Sequence, residues 1–293
     1  MLLRLAPVLF VLIWSTGWIT ARAAAPLADP LTFLFGRYAL AALALVVIIA
    51  LFRVPLPRDP RAIAHAMASG VLLHAIYLGG VWYAIDHGLP TPLSGLIAAI
   101  QPLLTAVLAV AWLSEKLNPR QWLGLSLGFV GLVGAFLPRL AGLDGAALSG
   151  AGGLIAINVV AMVAVTLGSL YQKRFLAGGD LRVIALLQYL GAALATLPAM
   201  LFLEEMHIAL TLETGLVMAW AVIGLSLAAI GLYLLLIRHG AVSRAATLIY
   251  LIPPAVALEA FFLFGEGLGP IEIAGMGLTV FGVYLVNARR KPA

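Results

Sequence analysis

Residues 111–119 read A-W-L-S-E-K-L-N-P, and residues 262–270 read F-L-F-G-E-G-L-G-P. Each stretch closes a long apolar run with Glu-x-Leu-x-Pro, and the two glutamates, Glu115 and Glu266, stand 151 residues apart. A phrase written twice at that spacing in a chain of 293 residues asks whether the whole chain is written twice. Laying residue n on residue n+151 gives ordered matches. Tyr38–Ala44 meets Tyr189–Ala195, Pro102 meets Pro253, Leu117 and Pro119 meet Leu268 and Pro270, Gly124 meets Gly275, and Gly131 meets Gly282. A slip of one residue adds Gly79, Ile85, His87 and Gly88 against Gly231, Ile237, His239 and Gly240. Alanine and leucine coincide by chance in an apolar chain. Tyr, Pro, Glu and His in the same order are less easily dismissed.

Composition says what is repeated. The chain is 63% hydrophobic and 10% charged, where a soluble domain has about a quarter of its residues charged. Apolar runs of about 20 residues recur, each long enough to cross the hydrocarbon core as a helix. Ten spans fit the chain, at 5–24, 31–52, 63–85, 91–113, 120–137, 150–172, 183–203, 215–237, 242–264 and 270–288, with Pro and Gly punctuating the short loops between them. The expectation is an all-α integral membrane protein. Barrel strands would alternate apolar and polar residues over about 10 positions. The N-terminus (Met1 to Arg4, then an apolar run) resembles a signal peptide. The run continues to Thr20 through Trp14 and Trp18, so it reads as a retained first helix. There is no cysteine, hence no disulfide and no thiolate ligand or nucleophile. No cofactor and no metal site is expected.

Charge sets the orientation. A net charge of +5 could suggest nucleic acid, but 14 of the 17 Lys and Arg residues fall on the side of the two termini. Arg22 and Arg139 fall on the other side, and Arg37 lies within a span. Basic loops mark the cytoplasmic face. The reading is a multi-pass protein of the inner (plasma) membrane with both termini cytoplasmic, partnered by lipid and a small molecule, not by nucleic acid, and acting as a monomer. Five spans per repeat is an odd number. The first repeat (1–145, spans 1–5) and the second (146–293, spans 6–10) therefore cross the membrane with opposite topology. Inverted repeats of this kind are a transporter architecture, with the substrate near the midplane between the halves.

At this point the sequence resembles a family. Ten spans in a 5+5 inverted repeat, a proline in the fourth span of each half, the Glu-x-Leu-x-Pro that follows, an early Trp14-Ser15 and Arg37 in span 2 look like the EamA family of the drug/metabolite transporter superfamily. The resemblance covers the whole chain. Its length and aromatic-rich first half look most like the YddG-type exporters of aromatic amino acids, and export as the direction of transport is what the resemblance implies. Two positions depart from repeat symmetry: Gln188 stands opposite Arg37, and Leu108 opposite Glu259.

The candidate site residues lie at midplane depth. His74 and Tyr77 are one turn apart on span 3, Gln101 precedes the proline of span 4, and Asn158, Met162, Thr166 and Ser169 follow one stripe of span 6. Trp14 and Tyr250 lie at similar depth in spans 1 and 9. Polar side chains there face the protein interior or a wet cavity, and with the aromatic rings they compose an apolar pocket with a few orienting groups. The competing reading is hydrogen bonding and packing between helices. Pro102 and Pro253 each remove a backbone donor mid-span, which fits either a flexing point or a static kink. Glu115 and Glu266 read as gates that dock on the other half or as plain connectors, with the following proline starting the next helix. Arg37 lies about 9 Å and Glu259 about 8 Å in from the outer face, at 1.5 Å per residue. Similar depth suggests an ion pair, with proton coupling through Glu259 as the alternative.

Nothing supports an enzyme. No paired carboxylates or His/Asp cluster share a depth, and His65, His87, His207 and His239 are scattered near span ends. No nucleotide-binding P-loop is present. The reading is a secondary transporter exporting small amphipathic metabolites, amino acids including aromatic ones, by alternating access and without obligatory proton movement. A proton-coupled drug/metabolite antiporter is the alternative, and a channel or scaffold is the reading from another class.

Overall fold

The computed structural model describes residues 2–143, 150–264 and 267–288. It is built of helices, and ten of them are long and apolar enough to span a membrane. They are α1 (Leu2–Ala24), α2 (Pro30–Leu51), α3 (Pro60–Asp86), α4 (Thr91–Leu113), α5 (Pro119–Ala141), α6 (Gly152–Phe175), α7 (Leu181–Leu203), α8 (Leu212–His239), α9 (Val242–Phe264) and α10 (Pro270–Asn287). The boundary expected between 145 and 146 lies outside the described residues, as does Glu266.

Prolines set several helix starts. Pro30, Pro60, Pro119 and Pro270 occupy the first turns of α2, α3, α5 and α10, where a missing N–H costs nothing. Asn118 closes a capping box on α5. Its side chain accepts from Gln121 N at 3.0 Å, and Gln121 accepts from Asn118 N at 3.0 Å. α5 runs past its expected end at 137 to Ala141, carrying Pro138 inside it.

Two spans are broken at their prolines. α4 is interrupted after Ala98 and resumes at Gln101, with Pro102 in the new first turn. α9 tightens to a 3₁₀ turn over Leu248–Leu251 and resumes at Ile252, just before Pro253. Each proline cannot donate to the carbonyl four residues back, so the α ladder stops on its N-terminal side. Two other spans loosen instead. α3 is π-helical over Val71–Ile76 and α8 over Ala221–Ala229. A π segment frees carbonyls from the regular ladder. Tyr38 donates its hydroxyl to the His74 carbonyl at 3.1 Å, and Tyr189 donates its hydroxyl to the Ser226 carbonyl at 2.7 Å.

Residues 151 apart also meet each other. The rings of Tyr38 and Tyr189 stack at 6.0 Å, and Thr279 Oγ1 lies 3.3 Å from the Gly128 carbonyl. Both contacts join antiparallel helices. Glu204, at the C-terminal end of α7, accepts from Leu31 N and Thr32 N at the start of α2. On the other pair, a Cβ at Gly124 would come within 2.6 Å of the Gly282 carbonyl, and one at Gly131 within 2.6 Å of the Gly275 carbonyl. Small residues let membrane helices approach this closely and gain packing that lipid cannot supply. Two large apolar clusters follow from these pairs, one around α2 and α7 and one around α5, α9 and α10, and Trp14 packs against both.

Candidate substrate site

The π turn of α3 places His74 between two tyrosines. Its ring lies 4.8 Å from that of Tyr189, nearly parallel, and 5.9 Å from that of Tyr38. The imidazole is 1% exposed, and neither ring nitrogen has a hydrogen-bond partner. Arg37, one residue before Tyr38, is 4% exposed, and its Nε donates to Ser226 Oγ at 2.8 Å. One buried cluster thus joins α2, α3, α7 and α8.

A second group centres on Tyr233 of α8, which is buried. Its ring stacks on Phe10 at 5.5 Å and tilts against Trp14 at 5.7 Å, and its hydroxyl shares a 2.8 Å hydrogen bond with Ser169 Oγ. Tyr77, one turn beyond His74, packs against the cluster that holds Met162.

The third group is a polar stripe between α4 and α6. Asn158 Nδ2 donates to Ser94 Oγ at 2.8 Å. Gln101 Nε2 donates to Thr105 Oγ1 at 3.2 Å, and Thr105 faces Thr166 Oγ1 at 3.4 Å. Asn158 Oδ1 and Gln101 Oε1 remain buried without partners. Tyr250 sits apart from this stripe. Its ring lies where a Cβ on Gly128 would fall, and its hydroxyl is also unpartnered.

The structure corrects one expectation. Arg37 and Glu259 do not pair. Equal depth put them together on paper, but α2 packs against α3, α7 and α8, whereas the second half of α9 packs against α1. Glu259 Oε1 instead lies 2.5 Å from Ser15 Oγ, and Oε2 is buried without a partner. Glu259 lines an apolar groove of about 350 Å³ with Leu12, Ala255, Leu258 and Phe262. Ser15 Oγ also lies 3.0 Å from the Leu12 carbonyl. One hydroxyl proton cannot serve both oxygens, so the Ser15–Glu259 contact is sensitive to which atom holds a proton.

Glu115 has the more specific of its two anticipated placements. Its carboxylate accepts from Val242 N at 2.6 Å and from Ser243 Oγ at 2.6 Å, at the N-terminus of α9 in the other half. Charge on a helix N-terminus is favourable there. Sequence reasoning passed over Tyr233, Ser226, Ser94 and Thr105. Ser226 carried a signal: with the one-residue slip, it stands at the repeat position of His74.

Comparison with known proteins places this geometry. The model of the EamA-like transporter family matches twice, over residues 4–137 and 151–288. The chain is 27% identical to the uncharacterized transporter YvbV of Bacillus subtilis (strain 168), covering 96% of this chain and 90% of that one. It is 25% identical to the uncharacterized inner membrane transporter YedA of Escherichia coli (strain K12), covering 98% and 91%. It is 22% identical to a probable amino-acid metabolite efflux pump of Salmonella typhimurium, covering 94% and 92%. A crystal structure with a TM-score of 0.80 and 19% identity covers 97% of this chain and 95% of its own, and shares the fold.

Proposed function

Because the chain belongs to the EamA-like transporter family, we propose that it exports small amphipathic metabolites, foremost amino acids with large apolar or aromatic side chains, by alternating access of two inverted five-helix halves. It is a transporter of the membrane and not an enzyme. The observation that carries the substrate reading is a set of unsatisfied polar atoms. His74, Gln101, Asn158 and Tyr250 each keep a buried nitrogen or oxygen that the protein does not pair. Each costs about 1–3 kcal/mol when left so. Trp14 and Tyr233 share an apolar cluster with Tyr250, and Tyr77 packs against the one that holds Met162, rings that suit an aromatic body. A ligand with polar ends and a flat apolar centre answers both features. The name of the Salmonella relative points the same way for amino acids and for export.

The repeat reading is supported by self-pairing. Equivalent residues touch across antiparallel helices at Tyr38/Tyr189 and Gly128/Thr279, as residues beside a two-fold axis in the membrane plane would. Exchange of inward- and outward-facing forms follows from that symmetry. The breaks at Pro102 and Pro253 are the flexing points.

The test is counterflow in proteoliposomes loaded with unlabelled phenylalanine. Transient uptake of labelled phenylalanine is expected, and absence of counterflow across a panel of amino acids would end this reading. In Trp14→Ala, His74→Ala, Tyr77→Ala and Gln101→Ala, flux is expected to fall while protein level holds.

One observation favours a second reading, proton-coupled exchange. Glu259 is not locked to Arg37: its Oε1 meets the Ser15 hydroxyl and its Oε2 has no partner. Substrate-driven proton movement at a fixed ratio, lost in Glu259→Gln with downhill exchange retained, would establish coupling. Exchange without proton movement would keep the facilitative reading.

A further inference from the structure

Among the described residues, Arg37 is buried within a span and has no acidic partner. An arginine within a spanning helix costs up to about 3 kcal/mol to insert. Charges in such places are normally paired. Of its five N–H donors, one is used on Ser226 Oγ. The neighbouring hydroxyls are committed, Tyr38 to the His74 carbonyl and Tyr189 to the Ser226 carbonyl. His74, stacked at 4.8 Å on the same Tyr189 that meets Ser226, is buried with both ring nitrogens unpartnered. A neutral imidazole offers one N–H. The same cluster therefore holds an uncompensated cation and an unused donor.

We propose that Arg37 and His74 form the subsite that binds the substrate's carboxylate, the guanidinium by a two-pronged ion pair and the imidazole by a hydrogen bond. The assignment rests on the carrier reading above and deepens it: the cargo bears a single carboxylate. A lone cation compensates one negative charge, so a free α-carboxylate fits and a dianionic phosphate does not. Ser226 holds Nε, which leaves the outer edge of the guanidinium for the ligand. The ring pair of Tyr38 and Tyr189 flanks the site.

The test is binding to the full chain, purified in lipid nanodiscs, of three probes: phenylalanine, phenylalaninamide and 3-phenylpropanoate. The wild type is expected to bind both carboxylates at least about tenfold more tightly than the amide. In Arg37→Gln the affinity for 3-phenylpropanoate should fall about tenfold or more, with Arg37→Lys in between because the ammonium keeps the charge and loses the fork. Amide binding equal to that of the carboxylates, or no binding of either carboxylate by the wild type, overturns the proposal whether or not the variants fold. Unchanged 3-phenylpropanoate affinity in folded Arg37→Gln overturns it as well. Binding of 3-phenylpropanoate, lost in Arg37→Gln, in a protein that neither binds nor carries amino acids, would keep the carboxylate subsite and remove the amino-acid reading.

Discussion

Arg37 and Glu259 show how depth along a span differs from neighbourhood in a bundle. Hydropathy and a rise of 1.5 Å per residue set how far each lies from the membrane face, but which helices touch is decided by packing. Their partners are Ser226 and Ser15 respectively. The energetic consequence is additivity. A buried pair loses more when one member is removed than when both are, whereas separate sites add within about 0.5 kcal/mol. Arg37→Ala and Glu259→Gln should therefore shift stability independently of each other. An interaction energy above about 1 kcal/mol in a double-mutant cycle, read by chemical denaturation in detergent, would restore the pair.

At the level of helices, the close approach of α5 to α10 can be tested with one methyl group. Gly131→Ala would drive a Cβ to 2.6 Å from the Gly275 carbonyl and 2.5 Å from Thr279 Oγ1, while Gly134→Ala meets nothing nearer than the Gly275 Cα at 4.0 Å. The first change should destabilise by about 1–3 kcal/mol and the second by almost nothing. Equal melting temperatures for the two variants would mean the helices part more easily than the contact implies. The sequence made these elements legible unevenly. Helix ends came within a few residues because Pro, Gly and Asn punctuate them. The breaks before Pro102 and Pro253 followed from the missing donor. The π turns at Val71–Ile76 and Ala221–Ala229 left no mark in hydropathy, since an extra residue in a turn that is apolar all round changes no pattern. The hub at Tyr233 was hidden for a related reason. Its value comes from Phe10 and Trp14 of α1 and Ser169 of α6, which lie far from it in the sequence.

For the molecule as a whole, orientation is the expectation most easily put at risk. The chain has no cysteine, so single cysteines report alone. One placed within 53–61 should resist an impermeant thiol reagent in intact cells, and one placed within 204–213 should react. The reverse pattern would invert the topology and with it the direction assigned to transport. If the expected pattern is found, the tie that Glu115 makes to the start of α9 lies on the cytoplasmic face. The self-pairing of α2 with α7 and of α5 with α10 has a further consequence. What joins the first half to the second is a surface of paired helices. A gene cut between the codons for Leu143 and Gly150 should yield two polypeptides that find each other in the bilayer, co-purify through a tag on one of them, and together restore flux that neither supports alone.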